Sequence, residues 1–172
     1  MGDDKVVKVA RVRGPLRQPV GWLRRNRAEH ELVSRYIPVP PTYHVRMRDS
    51  SGRPVSVILQ TKLNGRLLSE IADEELRREP LRSNLREAVQ RLERSVNELG
   101  WLPDIIGGPP RWGLHDARRS NNLMVDEDDE VWLIDPGAFF FWFSVGNPVG
   151  RLYTVVLRRS ALRMLRRARG GR

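Results

Sequence analysis

Four polar residues in the second half of the sequence, Asp116, the adjacent amides Asn121 and Asn122, and Asp135, are of types that together can handle phosphate chemistry. The stretch runs Leu114-His115-Asp116-Ala117-Arg118-Arg119-Ser120-Asn121-Asn122-Leu123-Met124-Val125 and continues through Val131-Trp132-Leu133-Ile134-Asp135-Pro136-Gly137. Carboxylate and amide oxygens are hard donors suited to Mg²⁺ carrying nucleotide phosphates. A carboxylate within hydrogen-bond reach of a hydroxyl can orient it and accept its proton. Asp and Asn also serve as ordinary turn residues that bond their own backbone, a reading that stays open for Asp116 and Asn121. Asp135 stands apart because it ends a strongly apolar strand. His115 reads as a structural hydrogen-bonding residue of the loop rather than a base.

Something must bring these positions together. Asn122 to Val125 and Val131 to Ile134 read as two strands joined by the acidic turn Asp126 to Glu130, a hairpin that returns the chain to its start. That return would set Asp135 beside Asn121/Asn122 and near Asp116. Upstream, β-branched Val6-Val7-Lys8-Val9-Ala10 reads as a strand. Trp22 to Tyr36 reads as a helix stopped by Pro38-Val39-Pro40-Pro41. Thr42 to Arg48 and Val55 to Leu63 form a second hairpin around Asp49-Ser50-Ser51-Gly52. The clearest helix spans Leu85 to Leu99, with Leu85, Ala88, Val89, Leu92, Val96 and Leu99 on one face and Asn84 and Glu87 spaced as a capping box. Prolines and glycines rule out regular structure across Trp101 to Trp112.

Composition narrows the chemistry. The 172 residues suit one compact unit, and 30% charged residues with no apolar run of bilayer length exclude a transmembrane segment. The N-terminus lacks signal-peptide order, so a cytoplasmic location is expected. Without cysteine, disulfides and thiolate metal sites are excluded, and three scattered histidines argue against zinc. The net charge is +10, and 28 of the 31 basic residues are arginine. Much of the excess lies beyond Arg151, where polyanion contact through the arginine-rich tail competes with a packed last helix and a solvated basic end. Ala138 to Phe143 is an apolar run with five aromatics, read as core or domain-contact packing ahead of a partner patch.

In its order of motifs the sequence resembles the protein-kinase-like superfamily, nearest its aminoglycoside-phosphotransferase and small bacterial kinase branch. Val6-Val7-Lys8-Val9 looks like the strand whose lysine holds nucleotide phosphates. Glu29 looks like the helix glutamate that pairs with it, with Glu31 as a substitute. Val57 to Leu68 looks like the hinge strand against which adenine binds, which places Gln60 and Leu63 at the nucleotide. The resemblance implies Asp116 as catalytic-loop base, Asn121 or Asn122 as a metal ligand, and Asp135 of Asp-Pro-Gly as the metal-binding aspartate. It covers roughly residues 5 to 140.

What the resemblance implies is a minimal two-lobed α+β fold. Residues 1–68 form an N-lobe-like unit of small antiparallel sheet plus helix, and residues 69–172 a reduced helical C-lobe. ATP and Mg²⁺ are the implied ligands, and a hydroxyl-bearing protein or small molecule the acceptor. The pattern departs from the family in three places. The glycine-rich loop that covers the phosphates has no counterpart before Lys5, and only 35 residues follow Gly137. His115 also directly precedes Asp116, where the family carries a residue between. A second subunit or partner protein is one source of the missing cover. The competing expectation is a catalytically inactive kinase-like binding or regulatory module.

Overall fold

The computed structural model describes residues 5–10, 19–99, 103, 105 and 120–136. Its architecture is mixed α+β, with two three-stranded antiparallel sheets and two α-helices among the described residues. The elements are β1 (Lys5–Ala10), α1 (Pro19–Val33), β2 (Thr42–Arg48), β3 (Pro54–Thr61), β4 (Gly65–Leu67), α2 (Leu81–Leu99), β5 (Leu123–Asp126) and β6 (Val131–Leu133), with 3₁₀ turns at Leu68–Glu70 and Glu75–Arg77. No helix among the described residues is long and apolar enough to cross a membrane.

The first sheet has the order β1-β3-β2, so the N-terminal strand skips its sequence neighbour and pairs with β3. Its register sets Lys8 opposite Ile58 and Val6 opposite Gln60, while across β3 His44 faces Ile58 and Thr42 faces Gln60. Directly paired residues share a face. One face therefore carries Lys8, Ile58, Gln60, Thr42 and His44, and α1 covers it through Asn26 and His30. Ser56, Ile58 and Gln60 are buried there, whereas Val7, Val9, Tyr43 and Met47 on the opposite face are exposed.

Helix α1 starts at Pro19, whose fixed φ suits a first helical position. It ends at Val33, three residues before the expected Tyr36, because Pro38 drives Ile37 out of helical geometry. Ser34 to Ile37 instead form hydrogen-bonded turns back to His30, Leu32 and Val33. Val33 and Ile37 enter the main core, where they join α2 and the second sheet.

Helix α2 begins at Leu81, four residues ahead of the expected Leu85. The capping box expected at Asn84 and Glu87 does not form. Glu79 accepts the Ser83 amide at 3.1 Å near the true start, and the Asn84 side chain instead donates to the Asp129 carbonyl at 3.0 Å. Glu87 is an exposed partner of Arg91 at 2.6 Å. The buried face of α2 runs Leu81, Leu85, Ala88, Val89, Leu92 and Val96, and Leu99 packs partly against it. Ser95 on the same face donates its hydroxyl to the Leu92 carbonyl at 2.8 Å. Burying Leu92 completely removes apolar surface worth about 1.5–3 kcal/mol.

The second sheet, β4-β5-β6, packs Leu123, Val125, Val131 and Leu133 into the same core. Both hairpin turns rest on an aspartate. Asp49 Oδ1 accepts the Ser51 and Arg53 amides, each at 2.9 Å. Asp126 Oδ1 likewise accepts the Asp128 and Glu130 amides, at 3.0 and 2.8 Å. The Leu133 amide on β6 donates to the Pro38 carbonyl at 2.9 Å. The proline connector after α1 thereby ties the first sheet's helix to the strand that leads to Asp135.

Candidate functional site

Lys8 leaves β1 on the face covered by α1, and its Nζ donates to the carbonyl of Ile134 at 3.1 Å across 126 residues of sequence. The same ammonium stands 3.7 Å from Asp135 Oδ2. Both side chains remain open to solvent, 33% exposed for Lys8 and 53% for Asp135. An ion pair this wet adds little to stability, because water screens it and two side chains lose freedom in forming it. Its value lies in placing a cation and a carboxylate at one accessible spot.

The β5-β6 hairpin delivers Asp135. Leu123 pairs with Leu133, and the Ile134 amide donates to the Asn122 carbonyl at 2.9 Å. Continuing that register sets Asn121 across from Asp135. Asn122 is buried, Asn121 is exposed, and both residues make further interactions. The segment entering β5 is held by Ser120, which sequence reasoning missed. Its buried Oγ accepts the amides of Asn122 at 3.1 Å and Leu123 at 2.9 Å, and its carbonyl accepts the Ser69 amide at 3.2 Å. A serine three residues before a strand is a weak signal, since such hydroxyl turns are common.

Glu29 is buried on α1, whereas its substitute Glu31 is exposed and engaged by Arg27 at 2.8 Å. The Arg27 guanidinium holds the Glu31 carboxyl below the usual range. Glu29 is engaged in the fold, and His30 beside it lies within electrostatic reach of Lys8. Gln60 is buried on the Lys8 face and donates to Thr42 Oγ1 at 3.3 Å, while Thr42 donates to the Pro40 carbonyl at 2.7 Å. Its amide thus ties β3 to β2. Leu63 is half-buried in the link between β3 and β4. Gly65, which follows, lies so close to the Val125 carbonyl that no β-carbon fits.

Two further groups went unread in the sequence. His30 and His44 meet edge-to-face at 5.9 Å between α1 and β2. Burial holds both imidazoles below the ordinary histidine range, and Lys8 adds to this at His30. Asp116, Gly137, the Ala138 to Phe143 run and the basic segment from Arg151 lie outside the described residues. Lys8, Asp135 and the asparagine pair are therefore brought to one end of the β5-β6 hairpin, Gln60 lies on Lys8's face of the first sheet, and Glu29 is buried on α1. No family model matches the chain, and no curated protein matches it significantly.

Proposed function

We propose that this chain is an ATP-dependent phosphotransferase of the protein-kinase-like kind, built as a minimal two-lobed fold. The observation that carries the reading is the approach of the Lys8 ammonium to Asp135, 3.7 Å apart and open to solvent. A kinase-like site needs that juxtaposition: a strand lysine to neutralise phosphate charge beside an aspartate able to hold Mg²⁺. The order β1-β3-β2, with α1 on the lysine's face, supports the same reading.

The donor set fits a hard divalent cation. The Asp135 carboxylate and an amide oxygen of Asn121 or Asn122 are oxygen ligands from facing chain segments, and Asp135 is accessible. Bound there, Mg²⁺ neutralises charge on the phosphate oxygens. Lys8 binds the nucleotide phosphates, and Glu29 orients the lysine from α1. Gln60 and Leu63 lie along the path of the hinge on which adenine would rest. Asp116 orients the acceptor hydroxyl and takes its proton. Residues 1–68 supply the nucleotide side of this arrangement and residues 69–172 the acceptor side. The acceptor is a hydroxyl of a protein or small molecule.

One observation favours the alternative, an inactive kinase-like binding module. The Lys8 ammonium is already satisfied by the Ile134 carbonyl and Asp135, contacts that a nucleotide must share or displace. Thermal unfolding with ATP, with and without Mg²⁺, followed by a coupled assay for ADP, separates the two readings. A magnesium-dependent rise in Tm that disappears in Asp135→Asn, with ADP released in the presence of an acceptor, supports the enzyme. A rise without turnover over a broad acceptor panel supports the module. No rise at millimolar nucleotide overturns the nucleotide site altogether.

A further inference from the structure

We infer a second anion site, separate from the Lys8–Asp135 pair, in the cleft between the turn that ends α1 and the middle of α2. This cleft encloses about 500 Å³ and is lined by Arg35, Tyr36, Pro38, Arg91, Arg94 and Glu98. Three guanidiniums from two elements converge on it. Arg91 is matched by Glu87 at 2.6 Å. Among the described residues, neither Arg35 nor Arg94 has an ion-pair partner. Both line the cleft and lie within electrostatic reach of the Tyr36 hydroxyl.

The single lining carboxylate, Glu98, offsets only one of them, and one of its oxygens is turned to Tyr36. The Tyr36 hydroxyl donates to Glu98 Oε2 at 2.7 Å, and this bond raises the phenol's pKa. With Arg91 matched by Glu87, the lining keeps two guanidiniums against one carboxylate, a net positive charge facing a pocket of small-molecule size. Guanidinium matches phosphate oxygens in a planar, two-bond geometry, and a phosphate monoester carries close to two negative charges at neutral pH. The Tyr36 ring and Pro38 supply an apolar wall for the remainder of such a molecule. The ligand class is a small phosphate monoester.

Position gives the cleft a second property. The carbonyl of lining residue Pro38 accepts the Leu133 amide, two residues before Asp135. An occupant resting on Pro38 therefore abuts the connector that anchors the Asp135 strand. The assignment of the cleft rests on its own residues and stands whether or not the chain transfers phosphate.

The test is calorimetric titration of the full chain with phenyl phosphate and with inorganic phosphate, at ionic strength held constant with sodium chloride. The proteins are wild type, Arg35→Gln, Arg94→Gln, Arg94→Lys and Asp135→Asn. Saturable binding is expected in wild type and Asp135→Asn, weakened about tenfold by loss of either charge-assisted contact in the two Gln variants. Arg94→Lys, which keeps the charge and loses the fork, falls between and guards against a folding defect. Tighter binding of phenyl phosphate than of phosphate supports the apolar wall. Unsaturable binding, wild-type affinity in both Gln variants, or loss confined to Asp135→Asn overturns the site.

Discussion

The ammonium of Lys8 and the carboxylate of Asp135 meet at 3.7 Å although β1 and the end of the β5-β6 hairpin belong to different sheets. Nothing local joins them. The link runs from β1 through β3 and α1 to Pro38, whose carbonyl holds Leu133, and from there along β6 to Asp135.

Because the pair is solvent-exposed, Asp135→Asn and Lys8→Met are expected to shift unfolding stability by no more than about 1 kcal/mol. The same substitutions are expected to abolish the magnesium-dependent ATP response. Urea melts alongside nucleotide titrations check this. A large stability loss with nucleotide binding intact would mark the pair as structural.

Ser120→Ala removes the one hydroxyl that accepts both the Asn122 and Leu123 amides. Leaving buried donors unmatched costs about 1–3 kcal/mol. The expected result is a lower urea midpoint together with weaker Mg²⁺–ATP binding, since the released segment carries the asparagine pair. An unchanged midpoint would show that water replaces the hydroxyl.

Gly65→Ala tests the close passage of β4 over β5. The added carbon would lie about 2.9 Å from the Val125 carbonyl carbon and 3.0 Å from Asp126 Cα, both backbone atoms that cannot rotate away. Overpacking of this kind costs about 1–3 kcal/mol. Hydrogen exchange should quicken first at Leu67 and Val125, and unaltered exchange there would refute the contact.

Stability should fall on mild acidification through the His30–His44 contact. Burial depresses both values in the folded chain, so below pH of about 6.5 the unfolded chain binds protons first. The stabilisation is complete above that value and is lost as pH falls through the lower folded values. His30 donors and acceptors include the Pro40 carbonyl, His44 bonds Asn26 at 3.2 Å, and Lys8, Arg27 and Glu31 supply the surrounding charge. Urea midpoints from pH 7.5 to 5 should decline in wild type and decline less in His44→Gln. Glu31, Asp49 and Glu75, also depressed by their partners, lose their contributions only in the more acidic carboxylate range. Equal slopes in the two proteins would remove the histidines from the account.

By itself the sequence determined the elements whose signals are local. A run rich in β-branched residues marked β1 to within a residue, and Asp49 to Gly52 marked a turn whose bonds are made within five residues. The 3.6-residue period of Leu85, Ala88, Val89, Leu92 and Val96 marked the buried face of α2. Where a local pattern competed with a distant partner, the local reading failed. Asn84 was spaced for a helix cap, yet its amide serves Asp129 some 45 residues away, and the helix begins a turn earlier. Tertiary structure alone decided that β1 pairs with β3, that Glu29 is buried while Glu31 is exposed, and that Ser120 holds the asparagine segment. It also decided the convergence of Arg35 and Arg94 on one cleft. These depend on register and packing between segments far apart in the chain, where the free energy of each contact exists only once all the others have formed.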